Sequence, residues 1–243
     1  MTRWLLPLWL IWATLLFGGY LGGSLQARGR EAGRRMPAWT RMASSVVLTL
    51  CGWTLAALAR STAAHHFALL IAVGMTLGLA GDLLLARLIP VKEPVLAGMA
   101  AFAAGHVAYI VGGLNQWRAA GMAGPGLLLA AWIAWLALGV LGWWVFVYRG
   151  QRITTLHWAA LPYALLLAST AGVATGLAFH DARYWLFALG AALFLLSDLL
   201  IAAGLFSHRT FRRVALDDVV WLTYGPGQML IVFTVYAVLR SLS

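Results

Sequence analysis

Residues 78–90 read GLAGDLLLARLIP, and residues 193–206 read LFLLSDLLIAAGLF. Each is an apolar run with one aspartate inside it, Asp82 in the first and Asp198 in the second. The composition around them decides the fold. The 243-residue chain is 63% hydrophobic and only 10% charged, with a mean hydropathy of +0.86, whereas a soluble domain is roughly 45–50% apolar and about 25% charged. The class that fits is an all-α polytopic membrane bundle. Lipid offers bare backbone groups no hydrogen-bond partner, and these apolar runs are too long for barrel strands. A hydrocarbon core about 30 Å thick takes about 20 helical residues. The length therefore predicts about eight transmembrane helices in a single transmembrane domain over 1–243, with no soluble domain left over.

The apolar runs place the spans at 4–22, 42–59, 66–90, 94–115, 126–148, 158–179, 184–206 and 216–240. Between them lie basic, glycine-rich or polar breaks, such as SLQARGREAGRRMP, NQWRAAGMAGPG and SHRTFRRVALDD, and Pro94 stands at a helix start. The first run has one early Arg and a core longer than that of a cleaved signal peptide, so it reads as a retained span. The formal charge is +10, which in a soluble protein would point to nucleic acid. Here the arginines sit in loops, where they set topology and meet anionic lipid head groups, so the expected partners are membrane lipids and no nucleic acid. The first, third, fifth and seventh loops hold twelve of the seventeen basic residues. The positive-inside rule then puts those loops in the cytoplasm and both termini outside, in the inner membrane of a bacterium. The one cysteine, Cys51, excludes a disulfide within the chain and a cysteine metal cluster.

The two acidic stretches also suggest an internal repeat. GDLLLA ends the third span and SDLLIA the seventh, and each is followed by a span with a polar residue after a glycine, Gly105-His106 and Gly227-Gln228. Two four-helix halves in parallel orientation would produce this pattern, as would chance in Leu- and Ala-rich helices. Asp82 and Asp198 each stand about eight residues before the end of their expected span, which places the carboxyls at matched depth. An aspartate within a span costs about 2.5–3.5 kcal/mol on insertion scales and marks a functional site by default. The plainer reading is a polar contact that holds helices together.

Further polar residues fall inside the fourth, sixth and eighth spans. His106 and Tyr109 are three apart on one helical face. His106 is the only histidine well inside a span, and a neutral core histidine is the alternative reading. Tyr224 and Gln228 are four apart, with Gly225, Pro226 and Gly227 between them expected to loosen the last helix. Tyr163, after Pro162, adds a hydroxyl in the sixth span. Tryptophans at span ends read as interfacial anchors. No HExxH, GxSxG or Walker loop is present. Ser197 and Asp198 point to different sides of a helix, which argues against a Ser-His-Asp triad. A metal site of Asp82, Asp198 and His106 is chemically conceivable, but no second His stands at ligand spacing, and neither metal nor cofactor is expected.

Taken in order, GDLLLA, FAAGHVAYI, FALGAALFLLSDLLIA and LTYGPGQMLI give the chain a resemblance to the YhhN-type lysoplasmalogenase family over nearly its whole length. The residues of that pattern are present as Asp82, His106, Tyr109, Asp198, Tyr224 and Gln228. The chain departs from it in the Gly-Pro-Gly after Tyr224 and in Arg41, which stands where the pattern has Lys. The resemblance implies an integral membrane hydrolase that cleaves the vinyl ether of a lysoplasmalogen, a lysophospholipid, to a fatty aldehyde and glycerophospho-ethanolamine or -choline. That chemistry needs one carboxylic acid that keeps its proton near neutral pH and one negative group to stabilise an oxocarbenium ion. Two carboxyls in a low-dielectric pocket meet this need, with Asp82 and Asp198 catalytic and His106, Tyr109, Tyr163, Tyr224 and Gln228 binding substrate. Two other functions use the same residues: a proton-coupled membrane transporter, in which the acids relay protons, and a non-catalytic lipid-binding scaffold.

Overall fold

The computed structural model describes residues 5–26, 36–122, 124–206 and 213–241. Among them there is no strand, and eight helices are long and apolar enough to cross a membrane: α1 (Leu5–Ser24), α2 (Ala38–Leu58), α3 (His65–Leu85), α4 (Pro94–Ala119), α5 (Gly126–Tyr148), α6 (Thr155–His180), α7 (Ala182–Phe206) and α8 (Arg213–Arg240). The protein is an integral membrane helical bundle. Arg28, Arg30, Arg34, Arg35, Arg209 and Arg212, among the loop residues used for orientation, lie outside the described residues.

The largest difference from the expected spans is at the end of α3. The helix stops at Leu85, not at 90, because Arg87 adopts the left-handed backbone conformation (φ 57°). The Leu88 amide donates to the Leu83 carbonyl and the Arg87 amide to that of Leu84, each at 3.0 Å, which closes the helix with a Schellman cap. Pro90 then holds the chain extended. Asp82 is thus three residues from the end of its helix, whereas Asp198 is eight from the end of α7. The expected equal distance from the helix ends does not hold, because α3 closes five residues sooner after its acid than α7 does. An arginine in the left-handed region is strained where glycine is not. Arg87→Gly is expected to stabilise the protein by about 1 kcal/mol, read as a higher melting temperature in detergent.

Other edges shift by a turn for local reasons. α6 starts at Thr155 because Thr154 caps it: its backbone N–H donates to His157 Nδ1 at 3.1 Å. The Gly-Pro-Gly of α8 does not open that helix, which runs unbroken from Arg213 to Arg240. Instead, its glycines admit neighbours. A side chain at Gly225 would meet Leu16 of α1 at 2.7 Å, and one at Gly227 would meet the Gly190 carbonyl of α7 at 2.9 Å.

The helices pack as a ring. α2 lies against α3, α3 against α4, α4 against α6, α6 against α7, α7 against α8, and α8 against α2 again. The first helix of each half stands outside the ring: α1 packs on α2, and α5 on α6. Both outer helices contain a π-helical turn, Thr14–Gly18 in α1 and Trp144–Tyr148 in α5. The two halves match in detail at their centres. A Cβ on Gly105 of α4 would lie 3.1 Å from the Gly74 carbonyl of α3, and a Cβ on Gly190 of α7 would lie 2.6 Å from the Gly227 carbonyl of α8. Asp82 follows Gly74 by eight residues, and Asp198 follows Gly190 by eight. Close backbone approach at small residues is the way membrane helices gain packing without a hydrophobic driving force.

Candidate functional site

Each acid is presented by an apolar helix and met by a hydroxyl from the helix before it. On α3, Asp82 Oδ2 accepts from Ser45 of α2 at 2.6 Å. On α7, Asp198 Oδ2 accepts from the Tyr163 hydroxyl of α6. Asp82 Oδ2 accepts a second hydrogen bond at 3.0 Å, from Tyr224 of α8. At the matching place in the other half, three residues before the contact glycine, α4 carries Phe102, which has no hydroxyl to give. Ser197 Oγ is 2.7 Å from the Phe194 carbonyl and 3.3 Å from Asp198 Oδ1. Its single proton goes to the nearer acceptor, so the serine is helix-bonded.

Behind Asp82 runs an ordered chain of donors. Tyr224 gives its proton to the carboxylate, so Gln228 reaches the Tyr224 oxygen with its amide nitrogen (2.9 Å). That leaves Gln228 Oε1 to accept from Tyr109 at 3.2 Å. Tyr109, Gln228 and Tyr224 all donate in one direction, and the carboxylate ends the chain. All three residues are buried, as is Asp82 at 5% exposure.

Both acids line one cavity of about 360 Å³. Its walls are Arg41 and Met42 at the start of α2, Val95, Met99 and Phe102 of α4, Ala160 and Tyr163 of α6, and Asp217 and Trp221 of α8. The C-terminal turns of α3, α5 and α7 complete it with Leu85, Val147 and Ala202. These are all the same end of the bundle, the one bordered by the first, third, fifth and seventh loops. Apart from the two acids, Tyr163, Arg41 and Asp217, the walls are mainly hydrocarbon and aromatic ring. The volume and lining are those of a small-molecule site: mostly apolar, with a few convergent polar groups.

Of the seven residues expected in the site, three line the cavity: Asp82, Asp198 and Tyr163. Tyr224, Gln228 and Tyr109 stand behind Asp82 and reach the cavity only through it, so the structure gives them no direct place against a bound molecule. The reason is the direction of α8. Tyr224 reaches Asp82 of α3 and Gln228 meets Tyr109 of α4, and one turn of helix separates Gln228 from Tyr224. His106 is elsewhere again. Thr170 Oγ1 lies 2.8 Å from Nδ1 of His106 and 3.1 Å from the Leu166 carbonyl, so the ring is hydrogen-bonded to α6. The ring is packed edge-on by Tyr109 and Phe194 and is 1% exposed. His106 thus joins α4 to α6, as the plainer reading of a core histidine has it. Among the described residues no three His, Cys, Asp or Glu side chains converge as a metal site requires.

Two residues of this site escape a reading by motif. Ser45 lies in an apolar stretch where a serine is unremarkable, and only the packing of α2 on α3 gives it a carboxylate. Trp221 looks like one more interfacial anchor, yet the Arg41 guanidinium lies over its ring at 5.4 Å to the centroid, within cation–π range.

The family model described as "YhhN family" matches residues 36–235. No curated protein and no solved structure matches the chain.

Proposed function

The chain belongs to the YhhN family, and from that premise we propose that it is a membrane hydrolase that cleaves the vinyl ether of a lysoplasmalogen, with Asp82 and Asp198 as its acid–base pair. The observation that carries the reading is that both carboxyls line a single, mainly apolar cavity. A vinyl ether is hydrolysed by protonation of its β-carbon, and both acids border the space such a bond would fill.

The hydrogen bonds divide the labour. Asp82 accepts from two hydroxyls, one of them fed by the Tyr109–Gln228–Tyr224 chain, an arrangement that suits a carboxylate. Asp198 accepts from Tyr163 and lacks the second hydroxyl because Phe102 stands where Tyr224 would. Asp198 is therefore the proton donor. Its O–H proton adds to the β-carbon, the π electrons form the new C–H bond, and the positive charge settles on the α-carbon and ether oxygen. Asp82 stabilises that cation and takes a proton from the water that adds to the α-carbon. The resulting hemiacetal returns its hydroxyl proton to Asp198. Asp82 passes its proton to the departing glycerol oxygen, and fatty aldehyde and glycerophosphodiester are released. One water is consumed, and both acids end as they began. This is the two-carboxyl logic of glycoside hydrolysis applied to a related oxocarbenium-like state.

The lining residues all lie toward one end of the bundle, which supports a site that holds and transforms a lipid over a carrier that must open to both sides. The test is aldehyde release by the purified protein from a panel of vinyl-ether, alkyl-ether and acyl lysolipids. Release from the vinyl ether alone is expected. No aldehyde from any of them, together with pH-driven solute flux in liposomes, would replace this reading with the carrier.

A further inference from the structure

On the wall of the cavity, Arg41 is placed in register with the acids. Arg41 and Ser45 are four residues apart on α2, so they lie on one face, with Arg41 about 6 Å nearer the loop end of the bundle. Ser45 is hydrogen-bonded to Asp82, so α2 roots Arg41 one turn outward of the residue that holds the carboxylate. The side chain lies over the ring of Trp221, and both line the cavity. Asp217, four residues before Trp221 on α8, lines it too. The outer part of the cavity thus holds a guanidinium and a carboxylate, and the rest of it, beyond Tyr163 and the two deeper acids, is apolar.

We propose that Arg41, laid flat on Trp221, is the seat for the phosphate of a single-chain phospholipid whose glycerol runs inward to Asp82. This rests on the lysolipid reading of the cavity above. In such a lipid the phosphate and the ether oxygen are separated by the three glycerol carbons, a span close to one helical turn. A phosphate on Arg41 therefore brings the first bond of the hydrocarbon chain level with the acids, and the apolar wall beyond receives the chain. A guanidinium suits the task because it offers several N–H donors in a plane and keeps its charge.

The experiment measures equilibrium binding to the full-length protein in detergent, so that turnover is not needed. The probes are an alkyl-ether lysophospholipid, which lacks the reactive double bond, and the matching alkylglycerol, which lacks the phosphate. The native protein should bind the phospholipid about 10- to 100-fold more tightly than the alkylglycerol, the range that charge-assisted hydrogen bonds supply. Arg41→Gln should erase that preference while leaving alkylglycerol binding within about twofold, and Arg41→Lys should keep part of it. Glycerophosphoethanolamine without a chain, added as competitor, separates a seat for the lipid head from one for any soluble phosphodiester: weak competition, lost in Arg41→Gln, supports the lipid assignment. Competition as strong as that of the intact lysolipid would overturn it. A preference that survives Arg41→Gln, or a variant that loses both ligands equally, would also overturn it. If the native protein shows the preference but releases no aldehyde, the phosphate seat stands and the hydrolase reading falls.

Discussion

Asp198→Asn and Asp82→Asn, each purified in folded form, are expected to lose aldehyde release by about 10²–10⁴-fold, the usual contribution of a positioned acid or base. Asparagine keeps the shape and the hydrogen bond from the neighbouring hydroxyl but can neither give nor take the proton. The two variants should differ in the pH dependence of what remains. The native reaction needs one acid protonated and the other ionised, so its rate against pH is bell-shaped. Loss of the proton donor, Asp198, should remove the fall at high pH; loss of the carboxylate, Asp82, should remove the fall at low pH. Interchanged limbs would reverse the roles assigned here, and near-native turnover in either variant would end the paired mechanism.

The second large effect is structural. Gly190→Ala places a methyl carbon 2.6 Å from the carbonyl oxygen of Gly227. The obstacle is backbone, with no side chain to swing away, so α7 and α8 must part. Overpacking of this kind costs about 1–3 kcal/mol, and here it also shifts the helix that carries Asp198. The expected result is a clearly lower melting temperature together with reduced activity. Gly22→Ala serves as control, because a methyl group there has nothing within 4 Å and alanine favours the helix. A Gly190→Ala protein as stable as the control would mean that the two helices are not in this contact.

Much of the fold was legible in the sequence because the bilayer is a demanding solvent. Long uncharged runs admit one structure, and all eight spans were marked by their breaks. Their ends were less legible, because ends are set by single residues. The left-handed backbone at Arg87 and the Thr154–His157 cap have no signature in hydropathy. The acids were legible for the converse reason: a carboxylate in an apolar run is costly and stands out. Which residues would surround them was not. Tyr224 and Gln228 were read as lining a pocket because helical spacing places them on one face. Spacing does not say toward which neighbour that face turns, and α8 turns it toward α3 and α4. Ser45 and Trp221 were missed because each is ordinary in its own helix and acquires its role only across a helix contact. The Gly-Pro-Gly of α8 was read as a weakness, when its glycines are the points at which α1 and α7 come closest.

The matched glycine contacts of the two halves carry a further consequence. Backbone lies against backbone at Gly74–Gly105 and again at Gly190–Gly227, and each acid stands eight residues beyond its contact glycine. One thing the two acids do not share is a second hydroxyl: Tyr224 gives one to Asp82, and Phe102 has none to give. Under the proposed roles, the phenol of Tyr224 decides which acid gives the proton and which takes it.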